Sequence, residues 1–167
     1  MTKSSKGILL YRATRDGFTS KAFHLKCDGK GNTITIIKNN LNYVFGGYAS
    51  SAWHSSGSYI NDPNAFLFSF RRAGDSFKDQ FTVKVAANAL IGNTGYEPIF
   101  GGGGGNDICI YNQSNTFIGS HSDFGHSYNL PNGYTYGENA REFLAENHNQ
   151  WTTTEIEVYQ IIQFSLK

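Results

Sequence analysis

The chain has 167 residues, enough for one domain with a substantial core. Its 14 Lys and Arg against 13 Asp and Glu leave a formal charge of +1, which excludes the basic footprint of a nucleic-acid or anionic-membrane binder. Charged residues make up only 16%, whereas 13 Phe, 10 Tyr and 19 Gly favour strands and tight turns over helices.

Residues 1–7 are expected to form a flexible lead, with a single domain over 8–167. The first element is a short strand at "ILLYRA" (8–13). A turn and a helix follow, capped by Asp16 or Thr19, with Phe23 and Cys27 on one face and Gly29 or Gly31 as the stop. "NTITIIK" (32–38) alternates at the period of a strand, and the spacing predicts Ile34 and Ile36 inward with Thr33 and Thr35 outward. "NYVFGGY" (42–48) returns as the second arm of a hairpin through Asn39, Asn40 and Asn42. In "NAFLFSFRR" (64–72), Phe66, Phe68 and Phe70 share a face and are expected to fill the core. "DQFTVKV" (79–85), with Phe81, Val83 and Val85 alternating, is its expected antiparallel neighbour, joined through Ala73-Gly74-Asp75-Ser76. "DICIY" (107–111) is a further strand, and a long polar and aromatic stretch separates it from the closing strand "TTTEIEVYQIIQF". In that last strand Ile156 and Val158 face one way, Glu155 and Glu157 the other. Seven or eight strands with two short helices point to an antiparallel two-sheet β-sandwich.

Five glycines, Gly101 to Gly105, precede "DICIY". A phosphate-binding loop needs Gly-x-x-x-x-Gly-Lys-Ser/Thr opening a helix. Here neither the Lys nor the helix follows, so the run reads as an irregular turn feeding a strand. His121, Asp123 and His126 lie close in sequence but without a fixed further ligand, so no metal or cofactor is expected; His24, His54 and His148 are isolated. Cys27 and Cys109 form no Cys-x-x-Cys pair, and the sequence opens without a secretory signal pattern. Both are expected to be reduced thiols of a cytoplasmic protein, with the sequon Asn112-Gln113-Ser114 idle. Cys27 reads as a small core residue, or as a redox thiol if its helix exposes it. Glu155 and Glu157 read as solvent-facing or partner-facing charges rather than a catalytic carboxylate pair. No apolar run reaches the roughly 20 residues of a membrane-spanning helix.

Taken together, "LLYRATRDGFTSKAFHLKCDGKGNTITIIK", "YVFGGYASSAW", "AFLFSF", "GGGGGNDICIY" and "LPNGYTYGENAREFLAENHNQWTTTEIEVYQI" resemble, in order over residues 8 to 162, the TLDc domain family of the oxidation-resistance proteins, and in particular its protist versions. The resemblance implies a two-sheet β-sandwich edged by short helices, with no established catalytic mechanism. It also implies a role in the oxidative-stress response, with subunits of the vacuolar proton-pumping ATPase as partners. A monomeric cytoplasmic protein, recruited to the cytosolic face of acidic organelles, is the matching expectation. The family's recurrent positions fall on Asp16, Gly17, Phe23, Cys27, Gly46, Gly47, Trp53, Asp107, Glu155 and Glu157. Two other readings are an enzyme using Cys27 or the acidic residues, and a carbohydrate-binding sandwich whose aromatic loop at 120–136 stacks on sugars.

Overall fold

A computed structural model of the chain describes residues 3–72, 75–146 and 151–165. In chain order the elements are β1 (Lys3–Arg12), α1 (Ala13–Asp16), α2 (Ser20–Cys27), β2 (Thr33–Asn39), β3 (Val44–Ala49), β4 (Tyr59–Ile60), β5 (Phe66–Arg72), β6 (Asp75–Thr82), β7 (Leu90–Ile91), β8 (Tyr96–Phe100), β9 (Ile108–Tyr111) and β10 (Thr153–Ser165). Single 3-10 turns occupy Ala86–Asn88 and Asn139–Glu142. The larger sheet runs β1-β10-β2-β3-β5-β6 and the smaller β4-β7-β8-β9, with every pairing antiparallel. This is the β-sandwich edged by short helices that the sequence implied, with more strands among the described residues than the seven or eight expected.

Local chemistry accounts for the boundaries. Gly17, at φ 102°, ends α1, a conformation costly for a side chain with a Cβ. The Thr19 hydroxyl then accepts from the Ala22 amide and starts α2. The β2–β3 hairpin turns on Asn39, whose side-chain oxygen accepts from the amides of Leu41 and Tyr43, mimicking a backbone turn. β1 begins at Lys3, not at residue 8: Lys3–Gly7, set apart above as a lead, pair with β10 from Ser165 to Ile161. β6 ends at Thr82, so Phe81 lies in the core while Val85, beyond the strand, is exposed. The Ala73-Gly74 connection and His148 lie outside the described residues.

The core is the space between the sheets. Ile37, Phe45, Leu67, Ile156 and Val158 enter from the larger sheet, and Leu90, Phe100, Ile108 and Ile110 from the smaller. Tyr11, Phe23, Trp53 and Trp151 close its ends. The inward placement of Ile156 and Val158 agrees with their alternation.

Two expectations fail, for one reason. Thr33, Thr35 and Ile37 are the buried side of β2, whereas Ile34 and Ile36 are half-buried on its other side. Leu67 and Ser69, fully buried, are the inward residues of β5, whereas Phe66, Phe68 and Phe70 lie on the outer face and Phe70 is 43% exposed. Alternation shows that two faces differ but not which one meets the core, and a shift of one residue inverts both. Here both faces of the larger sheet carry large apolar groups. The buried Thr33 hydroxyl is satisfied by the Trp53 indole N–H at 2.9 Å, so its polarity gave no guide to its side.

Candidate interaction site

Three groups of the singled-out residues can be built up from their neighbours. The first is the corner where α1 packs on β10. Register sets Arg12 opposite Glu157, and the Arg12 guanidinium meets Glu157 Oε1 at 2.6 Å while the Tyr159 hydroxyl donates to Oε2. Glu155 accepts from both the amide and the hydroxyl of Thr14, bracing α1 against β10. Asp16 accepts from the Arg12 amide and pairs with Arg15 at 2.7 Å; that pairing holds its carboxyl down at about 2. Arg12 and Arg15 remain 41% and 50% exposed, so the corner presents a band of alternating charge to solvent. Glu155 and Glu157 do share a face as expected, but each has a partner within the chain.

Behind this corner lies a buried polar set that the sequence did not suggest. Glu97 of β8 is 1% exposed; Ser114 Oγ donates to its Oε1 at 3.0 Å, and the Tyr11 hydroxyl lies 3.1 Å from its Oε2. The same hydroxyl donates to the Gly17 carbonyl at 2.8 Å. The single phenol proton is shared between the two acceptors, the Gly17 carbonyl and Glu97 Oε2. Burial lifts the Glu97 carboxyl to about 7, against the pull of its Ser114 and Tyr11 bonds.

Asp107 organises the glycine turn. It is fully buried and accepts from the amides of Gly125, His126 and Ser127 at 2.8, 3.0 and 2.8 Å. Burial nevertheless raises its carboxyl to about 6. Gly101, Gly103 and Gly104 adopt positive φ on the other side of the clamp, so the run is the turn between β8 and β9. Gly46 and Gly47 are sites of close approach: a Cβ on Gly47 would stand 2.5 Å from the Phe100 ring across the core, and one on Gly46 would meet the Thr35 carbonyl.

Both thiols are sealed. Cys27 is 0% and Cys109 1% exposed; burial pushes the Cys109 thiol up to about 12 and raises that of Cys27 further. Trp53 ties the end of α2 to β2, its carbonyl accepting from Gly29. His24, read as isolated, sits between Asp28 Oδ1 at 2.7 Å and the Asn93 carbonyl at 2.9 Å. Asp123 pairs with Arg141, and among the described residues no three His, Cys, Asp or Glu side chains are grouped as metal ligands. No helix among them is long and apolar enough to cross a membrane.

Residues 2–162 match the TLDc domain. The chain belongs to that family. A stretch of 43 residues is also 35% identical to the MTOR-associated protein MEAK7 of Danio rerio, covering 26% of this chain and 10% of that protein. The residues singled out from the sequence sort by what they touch. Gly17, Gly46, Gly47, Cys27, Trp53 and Asp107 hold the sandwich together. Asp16, Glu155 and Glu157 lie at the α1–β10 corner.

The buried carboxyls give the TLDc domain a definite pH response. A carboxyl whose folded pKa is raised binds more protons in the native state than in the unfolded one, so its contribution is complete below the unfolded value near 4.5 and is lost as pH rises through about 7. Asp107, raised to about 6, acts in the same direction, whereas Asp16 loses its contribution only as pH falls toward about 2. Urea midpoints should therefore be highest near about pH 5 and decline toward pH 8, and Glu97→Gln should flatten that decline. A midpoint that rises steadily from pH 5 to pH 8 would show that Glu97 is held ionised.

Proposed function

We propose that this TLDc domain is a non-catalytic protein-interaction domain of the oxidative-stress response, binding and regulating the vacuolar proton-pumping ATPase at the cytosolic face of acidic organelles. The observation that supports it over a redox enzyme is the sealing of both thiols: a reactive cysteine needs an exposed, acidified sulfur, and Cys27 and Cys109 are neither. The relative MEAK7 is likewise named as an MTOR-associated protein. The interaction surface in this reading is the α1–β10 corner, with Arg12, Arg15, Asp16, Glu155 and Glu157 as its charged contacts. Charges arranged in this way steer encounter and set specificity without themselves filling a core.

A charge swap separates this role from a bracing one. Glu157→Arg alone places two cations together and lowers the melting temperature by a few degrees. Adding Arg12→Glu re-forms the pair with opposite polarity and restores that temperature. The restored double variant is expected to lose co-purification with the ATPase and rescue of peroxide sensitivity. Should it regain both, the corner only supports the fold and the contact surface lies elsewhere.

A further inference from the structure

In an antiparallel pair, directly opposed residues share a face. Phe68 lies opposite Gly46, and Phe66 opposite Tyr48, which is itself opposite Ile34. These residues form the outer face of the larger sheet, away from the smaller one. The Phe68 and Phe70 rings stack at 4.6 Å, the Tyr48 and Phe66 rings at 5.0 Å. Between the two stacks Gly46 contributes no side chain, and a hollow of about 570 Å³ opens, walled by Ile34, the three phenylalanines and Lys78. Such a concentration of aromatic surface outside a core marks an interaction site rather than chance exposure.

Charge selects the occupant. The row Lys38, Val44, Arg71 crosses the sheet beside the hollow, and Lys78 stands in its wall. Among the described residues none of these three cations is in an ion pair, and Arg71 reaches only the neutral Asn42 side chain. Of the carboxylates on this face, Glu157 is paired with Arg12, and Asp79, which itself lines the hollow, with Arg72; Glu155, opposite Lys38, is hydrogen-bonded to Thr14, which leaves Arg71 and Lys78 as the cations with no acidic partner beside them. A second copy docking through the same patch would set these cations against themselves across a two-fold axis. A bilayer is flat, whereas Phe68, only 4% exposed, lies at the floor of a recess that projecting side chains of a partner can enter.

We propose that the outer face of the larger sheet is a docking groove for an amphipathic segment of a partner protein, carrying two or three large apolar side chains with Asp or Glu beside them. Leu, Ile or Phe side chains enter the hollow, and the acidic residues meet Arg71 and Lys78. This groove adjoins the α1–β10 corner on the same sheet face, Lys38 standing opposite Glu155, but it does not depend on the ATPase being the partner.

The test titrates the full chain, observed by amide NMR, with synthetic peptides of about 15 residues that carry Leu and Phe four apart and Asp or Glu on either side. Shifts are expected at residues 34, 48, 66–70 and 78, and the affinity should fall with added salt. Lys78→Glu with Arg71→Glu should weaken binding by about tenfold or more, and so should Phe70→Ser, an exposed site whose change leaves the remaining spectrum intact. The same peptides with Lys in place of Asp and Glu should not bind. Equal binding of the basic peptides, shifts confined to the α1–β10 corner, or no shift with any acidic peptide up to about 1 mM overturns the proposal. Self-association abolished by Phe70→Ser, or adsorption to phosphatidylserine vesicles abolished by Lys78→Glu, overturns it in favour of a second copy or a membrane.

Discussion

Asp107→Ala is expected to destabilise the domain by about 3–5 kcal/mol, read as a fall in the urea midpoint at unchanged slope. The side chain satisfies three backbone amides, those of Gly125, His126 and Ser127, in a site with no exposed surface of its own. Each donor left unpaired in such a place costs about 1–3 kcal/mol, and partial relaxation of the half-buried His126 segment keeps the sum below the maximum. Asp107→Asn keeps the volume and one acceptor oxygen for the Gly125 and His126 amides but turns its N–H₂ toward the Ser127 N–H, so it should recover only part of the loss. Amide exchange localises the effect: protection should drop at 125–127 before the rest of the domain. If Asp107→Ala unfolds near the parent midpoint, solvent reaches those amides and the carboxylate is not a clamp.

Gly46→Ala is the second large effect and should be worse than Gly47→Ala, although the residues are neighbours with the same change in volume. At Gly46 the new Cβ runs into the Thr35 carbonyl, a backbone atom fixed by the β2–β3 pairing, with the Phe68 ring 2.9 Å away on the other side. Relief requires parting two central strands, and a loss above about 3 kcal/mol follows. At Gly47 the obstacle is the Phe100 ring, a side chain that can turn within the core, so about 1–3 kcal/mol is expected. Equal losses at the two positions would mean that the backbone at Gly46 yields as easily as a ring does.

How much of this was legible in the sequence depended on the range of the interaction. The β2–β3 hairpin and the inward side of β10 follow from turn residues and alternation within a few positions, and both were read correctly. The phenylalanine stripe was recognised as a stripe but assigned to the wrong side, because nothing in a strand's own period says which of two apolar faces meets the second sheet. Glu97 and Tyr11, 86 positions apart, become a unit only when the sheets stack, so no local pattern announced them. Asp107 was singled out through resemblance alone: its partners are loop amides, which every residue except proline possesses. Glu155 and Glu157 were read as solvent-facing or partner-facing charges; their bonds to Thr14 and Arg12 could not be read locally, because those partners stand at the opposite end of the chain.

The order of the larger sheet also has a bearing on synthesis. β10, the last strand made, lies between β1 and β2, the first two, and Glu157 meets Arg12 across 145 positions. Until β10 has emerged, β2 and β3 can pair, but the edge of β2 that awaits β10 stays open and β1 has no neighbour in the sheet. Closing so long a loop comes late and slowly. An open, largely apolar edge in the interim invites pairing with other nascent chains. The domain is therefore expected to complete its larger sheet only once β10 has emerged, with chaperone occupancy of the β1–β2 region ending when that strand docks. Any truncation upstream of β10 would leave β1 unpaired and apart from β2-β3-β5-β6 rather than a slightly shorter sandwich.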